Sequence, residues 1–245
     1  MKDKLVRANS GQTEMPLPCL NKIVKYIEKA TAPDSIFLYG SQANGDTNAE
    51  SDWEIGCLFE DNYKSRSTLK ELLEKEFQGS TRKFSVFPFK LADFKNYQPD
   101  TPFQKNIYMT VLLSGGAKTL AGAKRVEELP PPPLTKQDFI EDAFFNLGVA
   151  FSATQTGDLK TSDKAFCRSC LYATAALVWL KTGKLLYGFN HIYQASLPLD
   201  IPPEYRNLIK AAIDIRNGAK AQPNTQNYYK NISYINKYVL SELKK

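Results

Sequence analysis

Asp52 and Glu54 are the side chains of this sequence best placed to do chemistry. They alternate with Trp53 and Ile55 in SDWEIGCLFE, so on a strand both carboxylates leave the same face. Ten residues separate Asp52 from Ser41, and Gly40-Ser41 closes a short apolar run, Ser35–Tyr39. Two hard-oxygen ligands beside a small-residue turn suit Mg²⁺ and a triphosphate. The cation takes one or two carboxylates together with substrate phosphates, and phosphate oxygens are met by backbone N–H groups at a turn. A plain turn between two strands with surface acids is the simpler alternative. It leaves two acids at alternate positions of an apolar strand unexplained.

The elements that must position these residues follow from periodicity. Met15–Thr31 reads as a helix with Leu20, Ile23, Val24, Ile27 and Ala30 on one face. A strand-turn-strand unit follows, its polar middle (Gly45, Asp46, Asn48, Glu50, Ser51) forming a short helix and a loop. Ser67–Phe77 is an amphipathic helix closed by Gln78-Gly79-Ser80. Lys83–Leu91 is a strand, and Pro88 argues for an edge position or a strand end. Gln104–Leu113 is helical, Ser114-Gly115-Gly116 a turn, and Ala117–Leu120 a last short strand ending at Gly122.

Four prolines, Pro130 to Pro133, then favour a stiff spacer. Beyond them the period is 3.6 throughout: Ile140, Ala143, Phe144, Leu147, Ala150 and Phe151 on one helix, then a central, almost wholly apolar helix at Ala165–Leu180. Tyr205, Leu208, Ile209, Ala212 and Ile213 mark a third helix. Tyr228, Ile232, Ile235, Val239 and Leu243 mark the last. The expected fold class is α+β: a mixed sheet with helices over residues 1–129, and an all-α helical bundle over 130–245.

The 245 residues include 42% hydrophobic and 24% charged residues, ordinary for a globular chain. No apolar run is long enough for a membrane span, and the first residues lack the apolar core of a signal peptide, so a cytoplasmic location and no membrane partner are expected. Net charge is +6; residues 1–129 carry 18 basic and 17 acidic side chains, residues 130–245 carry 14 and 9. The basic second half suits an anionic partner, but no arginine cluster interleaved with aromatics favours nucleic acid. Cys167-x-x-Cys170 sits in a helical apolar run. With one histidine, His191, and no second such pair, two core cysteines are favoured over a zinc site. His191 itself reads as a structural loop residue, and Tyr228, Tyr229 and Trp179 as packing. Lys181, Lys184 and Lys210 either reach an anion or are simply solvated.

Gly-Ser, ten residues, then Asp-x-Glu resembles the signature of the DNA polymerase β-like nucleotidyltransferase superfamily, and in particular its small bacterial branch of minimal and aminoglycoside nucleotidyltransferases. The resemblance covers the first half by motif and the second by architecture alone. It implies transfer of a nucleoside monophosphate from a nucleoside triphosphate such as ATP to a hydroxyl of a small molecule or protein. By matching position, Asp52 and Glu54 hold Mg²⁺, two ions in an active enzyme, and Gly40 and Ser41 cradle the β- and γ-phosphates. The chain departs from the family in three places: Glu54 stands where many members have Asp, Asn44 where many have Arg, and KFSVFPFKL lacks the usual third carboxylate. Asp93 lies beyond that strand, and Phe87, Phe89 or Lys90 face the site instead. By analogy with aminoglycoside enzymes, Glu141 or Asp142 of the helical half supplies the base, with Glu141 taken as the catalytic candidate; both also suit a helix N-terminus. The alternative is a catalytically weakened nucleotide-binding or antitoxin-like protein of the same fold. A generic two-domain RNA-binding protein comes third. The RNase module found beside such domains, with Arg and His a few residues apart, is not matched at Arg168 or Arg216.

Overall fold

Alternation along WEIGCLF divides this strand between two cores. In the computed structural model Trp53, Ile55, Cys57 and Phe59 pack on one side with Leu20, Ile23, Val24 and Ile27 and with Leu69 and Leu73. On the other side Leu58 packs with Phe37, Phe89, Phe94, Tyr108 and Val111. The structure describes residues 17–47, 51–61, 63–77, 84–97, 102–112, 116–130, 133–219 and 225–245, without the side chains of 17–19, 102–106 and 225. The expectations for Met15, Asn48, Glu50, Gln78-Gly79-Ser80, Lys83, Leu113, Ser114-Gly115 and Pro131-Pro132 lie outside these residues.

The chain divides into two compact units, Met1–Pro133 and Leu134–Lys245. In the first, the order is α1 (Leu17–Thr31), β1 (Ser35–Tyr39), α2 (Ser41–Asn44), β2 (Trp53–Phe59), α3 (Arg66–Glu76), β3 (Phe84–Lys90), α4 (Leu91–Asn96), α5 (Pro102–Leu112) and β4 (Ala117–Gly122). The four strands form one mixed sheet in the order β3-β2-β1-β4. β1 runs antiparallel to β2 and β4, while β2 and β3 are parallel. Pro88 is thus tolerated on an edge strand, where a missing N–H breaks no inner ladder. Two corrections concern side chains. Ala30 is exposed and Thr31 takes the last buried position of α1. Lys90 pairs in register with Phe59 and so belongs to the α1–α3 face, its ammonium 5.3 Å from the Tyr63 ring.

The second unit is helical: α6 (Lys136–Gln155), α7 (Leu159–Thr182), α8 (Phe189–Ser196), α9 (Pro203–Arg216), α10 (Thr225–Ser233), a π-helical stretch at Tyr234–Val239, and α11 (Leu240–Leu243). α7 is central, every residue from Ser169 to Val178 being buried. Asp158 caps its start by accepting from the Thr161 N–H at 3.1 Å, and Gly183 ends it in the left-handed conformation at φ 70°. Cys167 and Cys170 are buried, free thiols. Lys181 pairs with Glu242, and Lys210 with Asp214 at 2.6 Å. Periodicity missed α8, and His191 is an exposed residue of that helix rather than of a loop. Phe144 is 38% exposed, because Phe139, Ile140, Ala143 and Leu147 fill the core-facing stripe and leave it one position round the helix. Tyr228 is buried but Tyr229 is 64% exposed, so only the first is a packing residue of the core. No helix among the described residues is long and apolar enough to cross a membrane.

Candidate active site

β-Sheet register brings the singled-out residues of the first unit together. Glu54 pairs with Tyr39 of β1 on one side and Ser85 of β3 on the other, so all three side chains share a face. Asp52 stands just before β2 with the same parity. Its Oδ2 lies 3.5 Å from Ser85 Oγ, the outer limit for a hydrogen bond. Asp52 is exposed and Glu54 half-buried.

Gly40 follows Tyr39 directly, with φ 73° and ψ −153°, a conformation open to glycine. It is also pressed against Glu54: a Cβ at residue 40 would stand 1.9 Å from Glu54 Oε2 and 3.0 Å from Cδ. The turn and the second acid are therefore one structural unit. The Gly40 N–H donates to the Gly116 carbonyl at 3.2 Å, and the Gly40 carbonyl accepts from Ala43 and Asn44 at 3.1 and 3.2 Å. Ser41 opens α2 directly after this turn and is half-buried. Asn44, standing where an arginine was a family expectation, instead accepts from the Asp46 N–H at 2.8 Å and closes the turn ahead of left-handed Gly45.

β3 faces the acid pair with Ser85, Phe87 and Phe89; Lys90 points the other way. Ser85, in register with Glu54, thus holds the position at which a third carboxylate on this strand would meet the other two. Sequence alternation allowed this position to be picked out only once the parity of β3 was known. Asp93 lies on α4, past the far end of β3, where its charge acts on Tyr63. Glu141 is exposed on α6 of the second unit, and its neighbour Asp142 is turned into that unit's core at 6% exposure.

Two residues of this face, Tyr39 and Arg66, escaped the sequence, whereas Phe87 stands on the face expected of it. The Tyr39 hydroxyl is buried and without a hydrogen-bond partner. Burial, then the charges of Glu54 and Asp52, push its pKa well above the usual phenol range. Phe87 meets the Tyr39 ring edge-on, with centroids 6.4 Å apart. Arg66, the first residue of α3, lays its guanidinium 4.1 Å from the centre of the Phe87 ring. Only the folded sheet edge brings Arg66 to Phe87, so no sequence spacing announced it.

The donor set fits Mg²⁺: two carboxylates on one face, next to a turn whose Cβ-less residue leaves room for Glu54. Among the described residues no three or more of His, Cys, Asp and Glu gather as a metal site.

Residues 21–114 match the family model described as polymerase beta, nucleotidyltransferase. Among solved structures, the chain is similar to spectinomycin adenyltransferase AAD(9) from Enterococcus faecialis, crystallised with ATP and spectinomycin. The TM-score is 0.59 at 15% identity, over 92% of this chain and 98% of that one, which is a likeness of fold. No curated protein matches.

Proposed function

Residues 21–114 of this chain are a nucleotidyltransferase domain of the polymerase β-like superfamily, and from that premise we propose that the protein transfers a nucleoside monophosphate from a nucleoside triphosphate to a hydroxyl acceptor. The observation that carries this is the seating of Glu54 on Gly40, which ties a metal-binding acid to the phosphate turn. The acceptor oxygen bonds to the α-phosphorus, the bond to the bridging oxygen breaks, pyrophosphate leaves, and the hydroxyl proton passes to a base. Ser41 holds the β- and γ-phosphates through its N–H and hydroxyl. Asp52 and Glu54 hold Mg²⁺, which when bound offsets charge on the phosphate oxygens. Tyr39, beneath the acids, excludes water from that end of the sheet. Positioning and electrostatics of this kind supply most of the catalysis in phosphoryl chemistry. The relative that binds ATP and spectinomycin supports ATP as donor and a small molecule as acceptor.

A second proposal is supported by Ser85. With no acid on β3, the base is Glu141 of the helical unit, or the protein binds a nucleotide and turns over weakly, as an antitoxin-like partner would. Thermal shift with ATP, GTP, CTP and UTP, each with and without Mg²⁺, tests the common part: one triphosphate should raise the melting temperature only with the metal. No shift with any of them overturns both. Transfer of label from an α-³²P triphosphate then distinguishes enzyme from binder.

A further inference from the structure

Resting on the nucleotidyl transfer proposed above, we propose that the acceptor is a phosphorylated hydroxyl compound, its phosphate held by Arg66 against the Phe87 ring. In-line displacement places the entering and leaving oxygens on opposite sides of the α-phosphorus. The leaving pyrophosphate belongs to the Gly40-Ser41 turn, which extends from β1. The sheet order puts β2, with Glu54, between β1 and β3. The entering hydroxyl therefore comes over β3, whose face toward the acids is Ser85, Phe87 and Phe89. This strand offers a cationic acceptor no carboxylate.

It offers an anion a guanidinium. Arg66 is exposed, and among the described residues it has no ion-pair partner. Its contact is the stack on Phe87, 4.1 Å from Cζ to the ring centre. Stacking fixes the plane of the guanidinium and leaves its N–H edge to grip a phosphate through two parallel hydrogen bonds, which a lysine at the same place could not do. The stack also stands close enough to the acid pair for one buried hydroxyl, that of Tyr39, to feel both: its ring lies 6.4 Å from Phe87, and Arg66 acts on it against Glu54 and Asp52. An anionic acceptor approaching a triphosphate meets repulsion, and a cation on the entering side relieves it.

The test uses the full chain with whichever triphosphate stabilises it, and five probes: glucose 6-phosphate, glycerol 3-phosphate, glucose, glycerol and the cationic aminocyclitol spectinomycin. Label transfer from the α-³²P triphosphate and calorimetric binding are both read, so slow turnover does not hide the result. At least one phosphorylated probe should bind or react about tenfold better than its neutral counterpart and than spectinomycin. Arg66→Gln should remove that preference, roughly a tenfold rise in KM or Kd, and Arg66→Lys should restore only part of it. Lys70→Gln, on the same helix but paired with Glu74, should leave it intact. Equal binding of charged and neutral probes, preference for spectinomycin, or a preference that survives Arg66→Gln overturns the proposal. The triphosphate-induced melting shift, unchanged in Arg66→Gln, reports separately on the underlying transfer site: its absence in the wild type would sink that site instead.

Discussion

The Glu54 carboxylate lies against the Cα of Gly40, in the space that any side chain at residue 40 would need. An added Cβ meets Oε2 at 1.9 Å, and φ 73° with ψ −153° is already unfavourable for an L-residue. Gly40→Ala should therefore lower stability by about 1–3 kcal/mol and displace Glu54. Urea denaturation should show the loss, and the Mg²⁺-dependent melting shift with triphosphate should vanish. A variant that keeps the full shift would separate the turn from the acid.

Asp52→Asn with Glu54→Gln keeps both side-chain shapes and removes both charges. Asp52 is exposed and Glu54 only half-buried, so stability should change by about 0.5 kcal/mol or less for each. Metal-dependent nucleotide binding and label transfer should both disappear. Transfer surviving in the double variant would refute the metal assignment.

Ser85→Glu places a carboxylate in register with Glu54 and beside Asp52. If the natural chain lacks a base on this strand, transfer should rise tenfold or more, general bases being worth about 10²–10⁴. Glu141→Gln in the wild type is the companion measurement. A large loss there, with no gain from Ser85→Glu, assigns the base to the helical unit; no change in either leaves neither residue as base.

Burial pushes the thiols of Cys57 and Cys167 up to about 12 and that of Cys170 still higher. All three stay protonated in the folded state while the unfolded chain ionises near pH 8.5. The unfolded state thus binds fewer protons above that pH, and stability falls as pH rises from about 8.5 toward 12. By pH 9.5 each thiol contributes about 1.4 kcal/mol of this loss. Urea midpoints at pH 7.5 and 9.5, under reductant, should show the fall, and Cys167→Ala should lessen it by about a third. Native protein at pH 8 should resist thiol reagents at these three positions.

Much of the candidate site was legible because it is local. Gly40, Ser41, Asp52 and Glu54 are read from a turn and a strand period of two, and a strand with that period has only one way to place alternate acids. Pro88, which lacks the N–H an inner strand requires, left β3 an edge position or a strand end, and the sheet order gives it the edge. The helical second unit followed from the 3.6 period, except where the period was interrupted. The short α8 has too few turns to stand out from a loop, and the final helix carries a π-helical turn at Tyr234–Val239 that one regular pattern cannot describe.

By itself the sequence determined which residue types alternate, where the chain turns, and hence the α+β class with its acid-bearing strand. The tertiary structure alone decided which side chains from different strands share a face. Register set Ser85 across from Glu54, moved Lys90 to the opposite side, and left the Tyr39 hydroxyl buried under the acids. Packing at the sheet edge brought Arg66 of α3 onto Phe87 of β3. The physical reason is that a one-residue shift in pairing reverses every side chain of a strand. Such a shift changes nothing in the local pattern, so only the pairing of strands far apart in sequence fixes which groups meet.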